Sequence, residues 1–205
     1  MSPAAILLDI EGTTSSIAFV HDVLFPYARE RMADFVAAHP DQVADVPGDD
    51  KLATLIGWMD ADAKETALKS IQGMIWAEGY ASGALNGHVY PDTPEALVRW
   101  RETGVPVYIY SSGSIDAQKL IFGHSVAGDL TPLIACHFDT TSGPKREAAS
   151  YARIAGAIGI DAAAVLFVSD MAAEIAAARA AGMTALPIDR DGDAGDVTSL
   201  AEVLR

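Results

Sequence analysis

The sequence predicts an α/β fold in which a parallel sheet carries helices on both faces and is interrupted after its first strand by an all-helical block. Short apolar runs alternate with helical segments through the second half of the chain, which is typical of such a sheet. Residues 15–91 instead show helical periodicity with no strand signal. We therefore expect an α/β core of residues 1–14 and 92–205, with residues 15–91 inserted as a helical cap.

The first strand is predicted at residues 6–8, an apolar run of the kind that is buried on both faces of a sheet. Asp9, Glu11 and Gly12 follow it directly. Ligands of open parallel sheets bind at the carboxyl ends of the strands. Two carboxylates two residues apart point the same way if the strand geometry persists. The stretch is a candidate paired-carboxylate site, and the alternative is a strand end with solvated acids before a turn.

The remaining elements follow from periodicity and from the positions of proline and glycine. Pro94 suits the first turn of a helix that has Thr93 as its N-cap and ends at Gly104. Further strands are predicted at residues 105–110, 136–138, 165–168 and 184–187. Further helices are predicted around residues 20–39, 52–59, 68–75, 115–122, 145–158 and 172–181.

Composition excludes several classes of partner. The formal charge of −14 argues against nucleic acid, because binding to a phosphate backbone needs clustered Lys and Arg. It suits an anionic membrane surface no better, and no apolar run approaches the ~20 residues that cross a bilayer. The first residues lack the basic segment of a signal peptide, and Cys136 is the single cysteine. We therefore expect a cytoplasmic monomer without an internal disulfide, in which Cys136 is a small buried apolar residue.

Polar residues at four places should meet at the carboxyl edge of the sheet, namely Asp9 with Glu11, Ser111 with Ser112, Lys145, and Asp170. Asp9 and Asp170 could share Mg²⁺, which prefers a few carboxylate oxygens with water and phosphate. Ser111 and the N–H groups of the following helix could hold phosphate oxygens, and Lys145 would add a positive charge. An aspartate can attack phosphorus, and a second acid can then move the protons.

These residues resemble the four motifs of the haloacid-dehalogenase-like phosphohydrolases, in the same order. The motifs are Asp9-x-Glu11-Gly12-Thr13, Ser111, Lys145, and Ser169-Asp170. Longer strings resemble the enolase-phosphatase (acireductone synthase) branch of methionine salvage. These strings are residues 9–14, 19–27, 107–114, 117–125 and 137–140.

The resemblance implies a Rossmann-like core and a specific reaction. The branch converts 5-methylthio-2,3-dioxopentyl phosphate to its enol and then removes phosphate through an aspartyl phosphate, giving the acireductone 1,2-dihydroxy-3-keto-5-methylthiopentene. It implies that Asp9 is the nucleophile and a Mg²⁺ ligand, and that Glu11 is the acid/base and a further metal contact. Asp170 would be the other metal ligand. Ser111, Ser112 and Lys145 would bind the substrate.

Several alternatives stay open at this point. Glu174 lies one helical turn after Asp170 and could reach the water shell of the metal, but a solvated position on an Ala-rich helix is the favoured interpretation. His21 and His88 could touch substrate, although a structural role is favoured for both. The enolisation base is either Glu11 or a residue of the helical block.

Two rival functions share the core chemistry. One is a related phosphatase acting on a sugar phosphate or phosphoglycolate. The other is a phospho-accepting signalling module, which would lack the helical insert.

Overall fold

The computed structural model describes residues 2–192 and 194–204. Within them, five strands form one sheet in the order β3-β2-β1-β4-β5, and every neighbouring pair is parallel. The strands are β1 (Ala5–Leu8), β2 (Val107–Tyr110), β3 (Cys136–Phe138), β4 (Val165–Ser169) and β5 (Thr184–Pro187). All five predicted strands are therefore present, with bounds that differ from the prediction by at most two residues.

The α-helices of the described residues are α1 (Ile17–Phe19), α2 (Phe25–Ala38), α3 (Lys51–Asp60), α4 (Thr66–Ala81), α5 (Asp92–Glu102), α6 (Ile115–Gly123), α7 (Ala148–Ile158) and α8 (Ala172–Ala180). A π-helical turn, Val20–Leu24, joins α1 to α2. Pro26 falls in the first turn of α2, directly after this π-helical turn, in which the N–H of Phe25 bonds to the carbonyl of Val20.

Strand β1 lies at the centre of the sheet and is buried along its whole length. Because side chains alternate along a strand, Ile6 and Leu8 enter one apolar cluster and Leu7 enters another. The first cluster contains side chains of α5 and α6, including Trp100, and the second contains side chains of α7 and α8, including Tyr151. The predicted parallel sheet with helices on both faces is confirmed.

The chain divides into two compact units. One consists of Met1–Ile17 with Gly87–Arg205 and contains the sheet and α5–α8. The other is Ala18–Asn86, which contains α2–α4 and has an apolar core of its own around Met32, Leu55 and Ile71. That this helical unit acts as a cap stays a prediction.

Thr93 is not an N-cap, contrary to the prediction. Helix α5 begins at Asp92, two residues before the predicted first residue Pro94, with Pro91 in the N-cap position. Thr93 is buried in the first turn, and its hydroxyl donates to the carbonyl of Thr14 at 3.1 Å. A tertiary hydrogen bond has thus taken the hydroxyl that local capping would have used.

The prediction that Cys136 is buried is also wrong, since its side chain is exposed. Cys136 begins β3, which is an edge strand of the sheet, and the alternation of the strand turns His137 inwards instead. His137 contacts the side-chain oxygen of Gln118 at 3.1 Å, and burial lowers the pKa of His137 to about 4. The ring is therefore a neutral, structural part of the core.

No helix among residues 2–192 and 194–204 has the length and apolar character needed to span a membrane.

Two adjacent residues of α5 test how the helix contributes to stability. Leu97 is fully buried in the sheet-facing cluster, whereas Val98 is 44% exposed. We expect Leu97→Ala to lower the free energy of unfolding by about 2–5 kcal/mol because it opens a cavity. Val98→Ala should change it by less than about 0.5 kcal/mol. Urea unfolding of both variants measures the difference, and equal effects would contradict the packing described here.

Candidate active site

Three of the predicted site residues follow neighbouring strands. Asp9 follows β1, Ser111 follows β2, and Asp170 follows β4, and β1 lies between the other two strands. Because the strands are parallel, their carboxyl ends meet at one edge of the sheet. Lys145 reaches this edge from the loop between β3 and α7, where its ammonium group contacts Asp9. The structure thus brings these four predicted residues together.

The carboxylate of Asp9 is buried, with 2% of the residue exposed, and is held from several directions. One oxygen accepts from the backbone N–H of Ile10 at 2.8 Å and also pairs with Lys145. The other oxygen accepts from the hydroxyl of Ser169 at 3.0 Å. A carboxylate fixed in this way keeps one orientation towards the edge of the sheet, as a nucleophile requires.

Lys145 is a buried cation between two carboxyl groups. Its ammonium group contacts Asp9 and lies 2.7 Å from Glu174. Burial alone would lower the pKa of Lys145, but the two carboxylates raise it above its ordinary value, so the side chain keeps its charge. The hydroxyl of Tyr151 donates to the Lys145 carbonyl at 2.7 Å and fixes the loop from which the side chain extends.

The favoured interpretation of Glu174 as a solvated residue is wrong. This residue of α8 is 7% exposed and contacts Lys145. The hydroxyl of Ser169 lies 3.1 Å from Glu174 and 3.0 Å from Asp9, yet it carries only one proton to donate. Burial, with repulsion from Asp9, raises the pKa of Glu174 to about 7, so a protonated Glu174 can satisfy this arrangement.

Glu11 points towards strand β2. The hydroxyl of Ser111 donates to its carboxylate at 3.2 Å and accepts from the N–H of Gly113 at 3.1 Å. Desolvation and the nearby charge of Asp9 raise the pKa of Glu11 above its ordinary value. Glu11 is therefore an acid that keeps its proton to higher pH than a solvated glutamate does, and it is anchored by the serine that follows a neighbouring strand.

Asp170 lies against the turn that follows Asp9. Gly12 in that turn has φ +71°, and a Cβ there would come within 2.2 Å of the Asp170 carboxylate. Only glycine allows this approach. Desolvation and the charge of Asp9 raise the pKa of Asp170 to about 6. Asp170 thus belongs to the same electrostatic group as Asp9.

The other candidates are less closely tied to this group. Ser112 lies next to Ser111 but is exposed. The Nδ1 atom of His88 accepts from the N–H of Ser16 at 3.1 Å, so this histidine supports the segment after the acidic turn. His21 belongs to the helical unit. A role of Ser112 in substrate binding stays a prediction, and substrate contact by His21 or His88 stays an untested alternative.

Sequence reasoning missed two contributions to the site. Ser169 was part of a motif but was given no role, although its hydroxyl links Asp9 to Glu174. Tyr110 and Tyr151 fix the loop of Lys145 through hydroxyl bonds to two of its carbonyls, each of 2.7 Å. A serine that ends an apolar strand is a usable signal for the first. Nothing local to the tyrosines indicates the second, because both occupy ordinary core positions.

The sequence of the chain is similar to those of known proteins over most of its length. The model of the haloacid dehalogenase-like hydrolases matches residues 3–182. A curated protein named Enolase-phosphatase E1, from Pseudomonas aeruginosa (strain UCBPP-PA14), is 52% identical to this chain and aligns over 100% of it and 99% of its own length. Its namesake from Azotobacter vinelandii (strain DJ) is also 52% identical, over 94% of this chain and 91% of its own. The chain belongs to the haloacid dehalogenase-like hydrolases, in the enolase-phosphatase E1 family.

Solved structures agree with this membership. The UTR4 protein of Saccharomyces cerevisiae superposes with a TM-score of 0.85 at 36% identity, covering 94% of this chain and 92% of its own. A dehalogenase structure at 18% identity superposes with a TM-score of 0.61 over 97% of this chain and 94% of its own, and shares the fold.

Haloacid dehalogenase-like hydrolases generally use a divalent metal ion, and the residues present fit one. Within residues 2–192 and 194–204, no three His, Cys, Asp or Glu side chains are grouped closely enough to form a complete metal cage. A magnesium site, however, commonly takes only one or two carboxylates, with water and phosphate as its other ligands. Asp9 and Asp170 provide two, and their mutual repulsion is the kind that a bound cation relieves.

The raised pKa of Asp170 predicts how the metal-free protein responds to pH. The folded state holds a proton at Asp170 up to pH about 6, whereas the unfolded state loses it near pH 3.8. This contribution to stability is therefore present below pH 3.8 and is lost as the pH rises through about 6. We expect Asp170→Asn to become more stable relative to the native chain across that window.

Urea unfolding in EDTA at a series of pH values measures this difference. Asp41→Asn, which removes an exposed carboxyl from a loop of the helical unit, is the control. If the two variants follow the same pH course, Asp170 is not destabilised by its neighbours.

Proposed function

We propose that the protein is a Mg²⁺-dependent enolase-phosphatase (acireductone synthase) of methionine salvage. It would convert 5-methylthio-2,3-dioxopentyl phosphate and water to 1,2-dihydroxy-3-keto-5-methylthiopentene and phosphate. The observation that carries the proposal is the buried Asp9 carboxylate, held beside Lys145 at the end of the central strand with Glu11 two residues further on. The full-length identity of 52% to proteins named Enolase-phosphatase E1 supports the choice of substrate.

In this proposal Asp9 attacks phosphorus and forms an aspartyl phosphate. The N–H of Ile10 and the hydroxyl of Ser169 hold the carboxylate in one orientation, which removes part of the entropic barrier to attack. Lys145 offsets the repulsion between an anionic nucleophile and an anionic phosphate. Ser111, Ser112 and Lys145 would bind the phosphate group.

Glu11 would perform the proton transfers. Its raised pKa lets it carry a proton to the leaving oxygen, and the resulting carboxylate can then activate the water that hydrolyses the aspartyl phosphate. The enolisation removes a proton beside a carbonyl, and the carboxylate form of Glu11 is our candidate for that base as well. Ser111 keeps the carboxylate pointed at the same place for both reactions.

The metal we propose is Mg²⁺, with Asp9 and Asp170 as ligands and Glu11 as a further contact. When bound, it would neutralise charge on the phosphate and on the developing enolate. Glu174 lies 2.7 Å from the ammonium group of Lys145, so we assign it to holding that group in place beside Asp9. We also propose a cytoplasmic monomer that acts on this small substrate without nucleic-acid or membrane partners.

The first test is phosphate release with Mg²⁺ from the diketone phosphate, with absorbance recording the enol and the acireductone. We expect turnover by the native chain and a loss of at least about 1,000-fold in Asp9→Asn, because the amide is not a nucleophile. Asp161→Asn is the control. This carboxylate caps a turn immediately before β4, at the opposite edge of the sheet, and its loss should leave turnover unchanged.

The same assay separates the rivals. If phosphate is released only from sugar phosphates or phosphoglycolate, the protein is a phosphatase but the diketone phosphate is not its substrate. A stable aspartyl phosphate without turnover would indicate a signalling module.

Metal binding has a test that does not depend on turnover. A ligand that binds only the folded state at 100 times its dissociation constant stabilises it by about 2.7 kcal/mol. We therefore expect MgCl₂ to raise the melting temperature of the native chain and of Asp161→Asn. Asp170→Asn, which lacks one proposed ligand, should lose most of that rise. An equal rise in all three proteins would place the cation elsewhere.

A further inference from the structure

Arg190 makes a set of buried contacts that the reaction described above does not use. It lies just beyond β5, and its side chain is only 7% exposed. Its Nε donates to the main-chain carbonyl of Thr13 at 3.0 Å, and its Nη2 donates to the same oxygen. Its Nη1 lies 2.6 Å from the carboxylate of Asp92, and the guanidinium lies 4.2 Å from the centre of the Tyr90 ring. Each of the three guanidinium nitrogens thus donates to a fixed partner.

Asp92 is itself held in place. Its Oδ2 accepts from the N–H of Leu200 at 2.7 Å and from the hydroxyl of Ser199, in addition to Arg190. Burial alone would raise the pKa of Asp92, but the hydrogen bonds from Arg190 and Ser199 hold it below its ordinary value. The carboxylate is therefore charged. Its contacts link the start of α5 to Arg190 and to the segment at Ser199 and Leu200.

The Thr13 carbonyl that Arg190 holds belongs to the turn that directly follows Asp9 and Glu11. Thr13 follows Gly12, and Gly12 is the residue against which Asp170 packs. The adjacent Thr14 carbonyl is also fixed, by the N–H of Tyr90 at 3.0 Å and the hydroxyl of Thr93 at 3.1 Å. A shift of the turn would move Gly12 relative to the Asp170 carboxylate.

We infer that Arg190 is a positioning residue for the reaction, which it supports by fixing the turn that carries Asp9 and Glu11. It does not touch the reacting groups. It acts through the Thr13 carbonyl, so that the turn keeps Gly12 against the Asp170 carboxylate. Lysine could not replace it, because a single ammonium group cannot bond to the Thr13 carbonyl and the Asp92 carboxylate in the same planar arrangement.

The chain offers in Arg179 a control for the bonds to a main-chain carbonyl, although Arg179 is an exposed residue. It also donates through Nε and Nη2 to one main-chain carbonyl, that of Ala185, at 3.2 and 2.7 Å. That carbonyl lies within β5 and not in the acidic turn. Loss of either arginine removes the same kind of bond, and only Arg190 is attached to the turn.

The experiment compares Arg190→Ala, Arg190→Lys and Arg179→Ala in the phosphate-release assay, below the melting temperature of each protein. We expect Arg190→Ala to lower kcat by about 10- to 100-fold, since small misplacements of reacting groups have effects of this size. KM should change by less than about threefold, because the residue does not bind substrate. Arg190→Lys should recover only part of kcat, and millimolar guanidinium should partly restore Arg190→Ala. Arg179→Ala should keep both constants.

The kinetic arm rests on the proposed phosphatase activity, so a second arm uses amide hydrogen exchange without substrate. The N–H groups of Gly12, Thr14 and Ser15 are bonded within the turn. We expect faster exchange in the peptide covering residues 9–15 for Arg190→Ala and native exchange for Arg179→Ala. Equal exchange in the two variants, or equal kcat, would overturn the inference. A native chain that releases no phosphate from any substrate, with the exchange difference intact, would reject the proposed function alone.

Discussion

The structure depends on an imbalance of charge at one edge of a parallel sheet. Asp9, Glu11, Asp170 and Glu174 come together there, with Lys145 as the cation that contacts two of them. Holding like charges close together and partly out of water is costly, and the raised pKa values of three of the acids express that cost. Such a group persists only because the apolar sheet and its helices fix the chain around it. The same repulsion between carboxylates favours the binding of a cation or of a proton at this site.

The surrounding chain restrains this group mainly through main-chain carbonyls. Tyr110 and Tyr151 bond to carbonyls on the loop of Lys145, and Arg190 bonds to the carbonyl of Thr13 in the acidic turn. Tyr110 belongs to β2 and Tyr151 to α7, whereas Arg190 lies just beyond β5, and each fixes a segment that has no regular structure of its own. The loop of Lys145 and the acidic turn are therefore held through their backbone, in addition to the direct contacts that Asp9, Glu11 and Lys145 make through their side chains.

Much of the fold was predictable because apolar runs and their breaks are local signals. The strands that carry Asp9, Ser111 and Asp170 were predicted from such runs, and a parallel sheet then leaves their carboxyl ends together. The predictions that were wrong concern burial, which is not local. Cys136 is exposed because β3 is an edge strand, and Glu174 is buried because α8 turns it towards Lys145. Thr93 was predicted as a cap because its bond to Thr14 cannot be read from neighbouring residues.

The sequence by itself determined the order of strands along the chain, the acids and serine that end them, and the family to which those motifs belong. These follow from residue type and spacing, which act over a few residues. The tertiary structure alone decided which charges pair, because pairing depends on distant segments meeting. Lys145 lies 136 residues from Asp9, and Arg190 lies 177 residues from Thr13. Contacts over such separations are set by the packing of the whole sheet, and no local pattern encodes them.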